Sequence, residues 1–145
     1  MEQPQYNLFE RKKVEAEYSR LYSDIGLGLT TWSPLASGIL TGKYLKSIPP
    51  GSRLEMKGMS WIKDEALTQE KNNQVKKLIE IAEKLEAKTS QVAIAWCLKN
   101  PHVSSVILGA TSKKQLQENL DAINLLPLLT DSLLNELNSL FPIQA

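Results

Sequence analysis

The heptapeptide Trp32-Ser33-Pro34-Leu35-Ala36-Ser37-Gly38 sets a flat indole beside a run of small, turn-forming residues. Proline and glycine let the backbone turn tightly while its amides stay free to face an anion. Lys43 follows in Gly-Lys-Tyr, a compact cation able to neutralise phosphate charge. Far along the chain, Gly109-Ala110-Thr111 leads into a segment where Ser112 and Gln115 fit an S-x-x-Q capping box. A helix N-terminus exposes free amides and carries partial positive charge, which suits phosphate. Thr111, Gln115, Glu118 and Asn119 would share one face of that helix. Each segment follows an apolar stretch that reads as a strand, residues 27–33 and 103–108. The C-terminal ends of parallel strands are where α/β folds bind ligands.

The elements that position these residues can be read from the same pattern. Residues 3–8 alternate in polarity and read as a short strand. Over 10–25, Val14, Tyr18, Leu21 and Ile25 recur at helical spacing, and Gly26 stands where a C-terminal cap belongs. Pro34 ends the strand at 27–33, because proline cannot donate to a ladder. A long irregular stretch, 35–67, holds Pro49, Pro50 and Gly51. Val75, Leu78, Ile79, Ala82 and Leu85 stripe an amphipathic helix over 70–85. Thr89 and Ser90 are N-cap candidates for a helix over 91–99 that is apolar all round and therefore buried. Asn100 and Pro101 stop it. The strand 103–108, with Ser104 and Ser105 inside it, reads as part of a parallel sheet covered on both faces. A capped helix to about residue 123 and a last one over 131–141, with Leu133, Leu134, Leu137 and Phe141, complete the chain.

The order β–α–β–loop–α–α–β–α–α implies three parallel strands joined through covering helices. That is part of a barrel, since a closed (β/α)₈ barrel typically needs ~250 residues. The chain has 145 residues, 42% of them hydrophobic, which suits one domain spanning 1–145. Its 17 basic and 16 acidic residues leave a net charge of +1 and no basic stripe, which argues against nucleic acid. The run Arg11-Lys12-Lys13, flanked by Glu10 and Glu15, reads as a solvated helix face. A lone cysteine, Cys97, gives no intrachain disulfide, and the N-terminus lacks the apolar core of a signal peptide. The longest apolar run, residues 92–98, falls far short of the ~20 residues that span a bilayer. A soluble, intracellular protein follows, reaching a membrane only through a partner. His102 stands in a turn without nearby ligand types, and Cys97 in a buried helix reads as an unreactive thiol. Trp61, Trp96, Tyr6 and Tyr44 read as packing residues.

Together, TTWSPLASGILTGKY and VSSVILGATSKKQLQENL resemble the NADP(H)-binding half of the aldo-keto reductases. The branch they resemble most contains the voltage-gated potassium channel β-subunits. The resemblance covers essentially the whole chain but only the C-terminal half of that (β/α)₈ fold. It implies that Trp32 stacks on the nicotinamide, while Ser33, Pro34, Leu35, Ala36, Ser37 and Lys43 hold the pyrophosphate. Gly109 and Thr111 then fall on the adenosine 2′-phosphate side, with Gln115, Glu118 and Asn119 against adenosine. Gln3 matches a glutamine that bonds the nicotinamide carboxamide, a role for which an amide can donate and accept at once. Arg53 matches a loop arginine that reaches the 2′-phosphate, where a guanidinium fork favours NADP over NAD. Gly51 stands where the channel-subunit branch has a tyrosine, and Ser37 where animal members have a cysteine. TTWSPLASG and PLLT look closer to plant and bacterial members.

The resemblance further implies that the catalytic Asp-Tyr-Lys-His tetrad comes from the first half of the barrel, which no segment here matches. No catalytic residue is therefore assigned to this chain, and no metal. The expected function is the cofactor-binding part of an NADP(H)-dependent carbonyl reductase, whose complete parent moves hydride to a carbonyl carbon. The alternatives are a potassium channel accessory subunit that senses NADP(H) without turnover, and an inactive truncated remnant. A channel's cytoplasmic domain, and further copies in the complete parent, are the expected macromolecular partners, with a cytoplasmic location.

Overall fold

The computed structural model describes residues 1–58, 63 and 67–143. Residues 2–6 run parallel to strand β1 (Leu29–Thr31). The Glu2 and Tyr6 amides donate to the carbonyls of Gly28 and Trp32, and the amides of Thr30 and Trp32 donate back to Glu2 and Pro4. Pro4 has no N–H, so the ladder loses its central bond and only isolated bridges remain, Glu2 with Leu29 and Gln5 with Trp32. The expected first strand at 3–8 is thus a pairing interrupted by Pro4. It ends where Asn7 turns the chain, its Oδ1 accepting the amides of Phe9 and Glu10.

The helix expected over 10–25 is two pieces, a π-helical turn at Lys13–Glu17 and helix α1 (Ser19–Ile25). Gly26 caps α1 in the left-handed region, φ 63°, as its position suggested. Val14 is buried, but Ile25 at the other end of the stripe is exposed. Arg11 corrects the reading of a solvated basic face. It is buried, held by Glu15 and by the carbonyls of Asn138 and Phe141.

After β1 the chain enters tight turns over Ala36–Thr41, kinked at Ser37 and Gly38, and then a single 3₁₀ turn at Arg53–Glu55. Trp61 lies outside the described residues. Helix α2 (Gln69–Lys84) is capped by the Thr68 side chain and buries Val75, Leu78, Ile81 and Ala82, with Ile79 at the edge. It ends with Glu86 at φ 53°, while the amides of Glu86 and Ala87 reach back to Glu83 and Ala82. This is a helix-ending motif that normally takes glycine at that position.

Helix α3 (Thr89–Leu98) begins two residues earlier than the expected start at residue 91. Thr89 and Ser90 lie inside it, and Lys88 occupies the N-cap position. Val92 to Cys97 are all buried, as its all-round apolarity required. Strand β2 (Val103–Val106) pairs in parallel with β1, Leu29 opposite Val103 and Thr31 opposite Val106, with a register shift after Leu29. Helices α2 and α3 supply the crossover that parallel pairing demands.

The sheet is covered on one face only. Ser104 and Ser105 are exposed, which corrects the reading of a strand buried on both sides. Helix α4 (Lys113–Leu120) runs into a 3₁₀ segment, Asp121–Leu125, and helix α5 (Asp131–Leu140) closes the chain. The core lies between the covered sheet face and the helices, around Leu29, Leu78, Val92, Ala95, Leu137 and Phe141.

Candidate functional site

Trp32 pairs with Gln5, and successive residues of a strand alternate faces, so Gln3, Gln5, Thr30 and Trp32 share one face of the pairing. That face is the uncovered one, with Gln3 exposed and Trp32 44% exposed. The Ile107 amide donates to the Thr31 carbonyl, and Ile107 is 41% exposed, extending the open face.

The loop beyond Trp32 is strained. Ser33, Ala36 and Ser37 all have positive φ, at 58°, 47° and 57°, and Gly38 follows at 94°. Left-handed backbone costs an ordinary residue roughly 1–2 kcal/mol, and such residues concentrate at ligand sites. The loop bonds to itself through the amides of Ala36, Gly38, Leu40 and Gly42, and none of these bonds uses the amides of Leu35 or Ser37. Asn7 fastens the loop's start, its Nδ2 donating to the Ser33 carbonyl at 3.0 Å. Lys43 folds back over Gly38, where an added Cβ would stand 2.9 Å from its Nζ. The ammonium lies 4.9 Å from the Tyr44 ring centroid, and no carboxylate pairs with it among the described residues.

A cavity of about 470 Å³ joins this loop to α4. Leu35, Thr41 and Lys43 line it from the loop, Ile79, Ala82 and Glu83 from α2, and Ala87, Lys88, Thr89 and Ser90 from the start of α3. Gln115, Glu118 and Asn119 come from α4. Asn119 is 3% exposed, and its Nδ2 has no hydrogen-bond partner among the described residues. A buried amide donor without an acceptor costs about 1–3 kcal/mol, so this wall is suited to a ligand that accepts. Lys88 Nζ pairs with Glu118 Oε1 at 2.5 Å. Gln91 ties the same helices together, its Nε2 donating to the Glu118 carbonyl at 2.9 Å.

Of the residues expected at the site, Leu35, Lys43, Gln115, Glu118 and Asn119 meet in this cavity. Gln3 and Trp32 lie on the open sheet face, and Ser33, Pro34, Ala36 and Ser37 form the loop between the two regions. Arg53 is exposed in its 3₁₀ turn, and Gly109 and Thr111 are exposed before α4; these three are not cavity-lining. The expected capping box is half formed. Ser112 Oγ accepts the Gln115 amide, but Gln115 Oε1 takes the Thr111 amide and hydroxyl instead of the Ser112 amide.

Lys88 was not among the expected residues, because Thr89 and Ser90 read as the caps and left it outside the helix. A lysine at an N-cap can accept nothing from the helix amides and faces the positive end of the dipole. Such a residue at the start of a buried helix asks for another reason to be there.

A second cavity, about 410 Å³, is lined by Tyr6, Glu15, Tyr22, Trp96, His102 and their neighbours. Its polar groups mostly satisfy one another. The Tyr6 hydroxyl donates to Glu15, Asn100 donates to Tyr6, and Trp96 Nε1 donates to Asn138. Burial, then the charge of Glu15, pushes the Tyr6 hydroxyl pKa up, and burial does the same to the Cys97 thiol. His102 stacks on Tyr22 with ring centroids 3.7 Å apart. Among the described residues no group of acidic, histidine or cysteine side chains could hold a metal, and no helix is long and apolar enough to cross a membrane.

Comparison with known proteins bears on both regions. Residues 1–141 match the sequence model of the Aldo/keto reductase family. A protein of Oryza sativa subsp. japonica described as "Probable voltage-gated potassium channel subunit beta" is 49% identical over 140 residues, covering 96% of this chain and 43% of that protein. One of Arabidopsis thaliana with the same description is 49% identical over 138 residues, covering 94% and 42%. The chain thus spans less than half the length of these relatives.

Proposed function

We propose that this chain, which belongs to the aldo/keto reductase family, is the NADP(H)-binding portion of a (β/α)₈ carbonyl reductase. Residues 1–145 would then be a single partial domain, the C-terminal side of that barrel. The observation that carries the reading is the convergence of two distant motifs on one cavity, where among the described residues Lys43 has no carboxylate partner and the buried Asn119 Nδ2 no acceptor. These groups fit a phosphorylated nucleoside: a cation for phosphate, an amide donor for ring nitrogens, and apolar walls from Leu35, Ile79 and Ala82.

When bound, the nicotinamide would supply hydride to a carbonyl carbon. This chain's residues would do the holding. The loop of residues 33–38 presents the Leu35 and Ser37 amides, beside Lys43, to the phosphates. Trp32 offers its exposed ring, and Gln3 its side-chain amide, to the nicotinamide end. Gln115, Glu118 and Asn119 receive adenosine. Arg53, Gly109 and Thr111 are assigned to the 2′-phosphate side.

The two plant relatives favour a second reading, because both are described as potassium channel β-subunits. In it the same cofactor grip serves a cytoplasmic accessory subunit that docks on a channel's cytoplasmic domain and reports NADP(H) without turnover. Calorimetric titration of the chain with NADPH tests the grip common to both. Saturable one-to-one binding that Trp32→Ala weakens, for NADPH and NADH alike, is expected. Absence of binding at millimolar cofactor would remove the proposal.

A further inference from the structure

We infer, on the nucleotide reading above, that Asn7 is a positioning residue for the cofactor. Its carboxamide holds the loop of residues 33–38 in the strained form that leaves the Leu35 and Ser37 amides free for a pyrophosphate. Asn7 itself touches no ligand and acts through the loop.

The ladder between residues 2–6 and β1 ends on the Tyr6 amide, which donates to the Trp32 carbonyl at 3.2 Å. Its next bond would need an amide at residue 34, and Pro34 has none. Asn7 adds a bond beyond that end with its side chain. Nδ2 donates to the Ser33 carbonyl at 3.0 Å, while Oδ1 accepts the amides of Phe9 and Glu10 at 2.9 and 3.0 Å. A carboxamide can donate and accept at once, which this place requires. Asn7 is fully buried, so water does not compete for these bonds.

The Ser33 carbonyl is where the loop is anchored. It also accepts the Ala36 amide at 3.1 Å, closing the turn that contains Leu35. The Leu35 carbonyl in its turn accepts the Gly38 amide at 2.9 Å, closing the turn that contains Ser37. Two linked turns thus fix the directions of the two unused amides. The same stretch carries Ser33, Ala36 and Ser37 at positive φ, a backbone that persists only where its surroundings over-determine it. Among the described residues, Asn7 makes the one side-chain hydrogen bond that reaches residues 33–38 from outside residues 33–44. Without that bond the loop divides its time between this form and relaxed ones. The apparent cofactor affinity then falls with the fraction that stays competent.

Asn7→Asp separates holding the loop from making the turn. Its carboxylate still accepts the amides of Phe9 and Glu10 but has no hydrogen for the Ser33 carbonyl. Asn7→Ser, which adds no charge, keeps an acceptor for the same turn and is too short to reach that carbonyl. The probes are NADP⁺, which carries the pyrophosphate, and adenosine 2′-monophosphate, which does not, each titrated calorimetrically into the full chain. Both variants should lower the ratio of the NADP⁺ affinity to that of adenosine 2′-monophosphate by about fivefold to twentyfold, the order of one lost hydrogen bond. In ¹H–¹⁵N spectra of the ligand-free chain, the Leu35 and Ser37 amides should shift or broaden in both variants while those of α2 stay in place.

An unchanged ratio in Asn7→Asp, or an equal loss of both probes, overturns the positioning role of Asn7 while leaving the nucleotide site standing. Wild-type chain that binds neither probe overturns the nucleotide reading and this inference together. Where circular dichroism melts show that the buried carboxylate of Asn7→Asp unfolds the chain, Asn7→Ser supplies the same comparison with the same expected direction.

Discussion

Replacing the buried Arg11 by methionine should remove a large share of the chain's stability. The guanidinium is 6% exposed and makes four hydrogen bonds with its five N–H donors. Nε and Nη2 reach the two oxygens of Glu15 at 2.8 and 2.7 Å, and Nη1 reaches the carbonyls of Asn138 and Phe141 at 3.0 and 2.5 Å. Those carbonyls belong to the last turn and C-terminal cap of α5, where the helix dipole is negative, so one cation serves a carboxylate and a helix end together. The side chain also lies 5.4 Å from the Trp96 ring centroid. Methionine keeps most of the stem's volume but leaves Glu15 with the Tyr6 hydroxyl alone.

Removing one partner of a buried pair costs about 3–5 kcal/mol. The Glu15 side chain is 23% exposed and can recover some hydration, which places the expectation near ~3 kcal/mol. Against a typical total of about 5–15 kcal/mol that is a large fraction. Urea unfolding followed by far-ultraviolet circular dichroism measures it directly. The double variant Arg11→Met/Glu15→Gln should recover part of the loss, because no uncompensated carboxylate remains. A single-variant loss below about 1 kcal/mol would place Arg11 among ordinary surface pairs and refute the clasp.

Glu86→Gly should stabilise the chain by ~0.5–1 kcal/mol, since Glu86 sits at φ 53° in a motif built for glycine; an unchanged urea midpoint would count against that strain. Gly38→Ala should weaken NADPH binding severalfold, because the new Cβ would stand 2.8 Å from Lys43 Cε and displace the cation; unaltered affinity would detach Lys43 from the cofactor. Stability should fall as pH rises above about 9. Cys97 and Tyr6, with ordinary values of 9.0 and 10.0, are both shifted upward by burial, so the unfolded chain ionises first. Each group then removes about 1.4 kcal/mol per pH unit once its unfolded form titrates. Cys97→Ala should flatten the slope of urea stability between pH 9 and 10; an identical slope would show that the thiol does not contribute.

Most of the helices were legible because their stripes are long and their caps local. The apolar ring of Val92 to Cys97 required burial, and Gly26 and Ser112 cap α1 and α4 where the sequence put them. The strands were overextended in the reading, since an apolar run does not reveal where pairing stops. Pro4 breaks one ladder and the exposure of Ser104 and Ser105 reflects a sheet face without a cover. The π-helical turn at Lys13–Glu17 was hidden because Val14 and Tyr18 keep helical spacing through it. Arg11 was misread for a related reason: its partners Asn138 and Phe141 lie at the other end of the chain. At the site, Leu35, Lys43, Gln115, Glu118 and Asn119 were named from two motifs, and the cavity brings them together. Lys88 reaches the same cavity through the turn between α2 and α3, which the motifs do not touch.

Two-dimensional ¹H–¹⁵N spectroscopy of the chain titrated with NADP⁺ addresses the cofactor site most directly, because it reports on both regions at once. The Asn119 side-chain amide, the Trp32 indole and the backbone amides of Leu35 and Ser37 should move together along one saturable isotherm. Shifts confined to the cavity around Tyr22 and His102, or none at saturating cofactor, would contradict it.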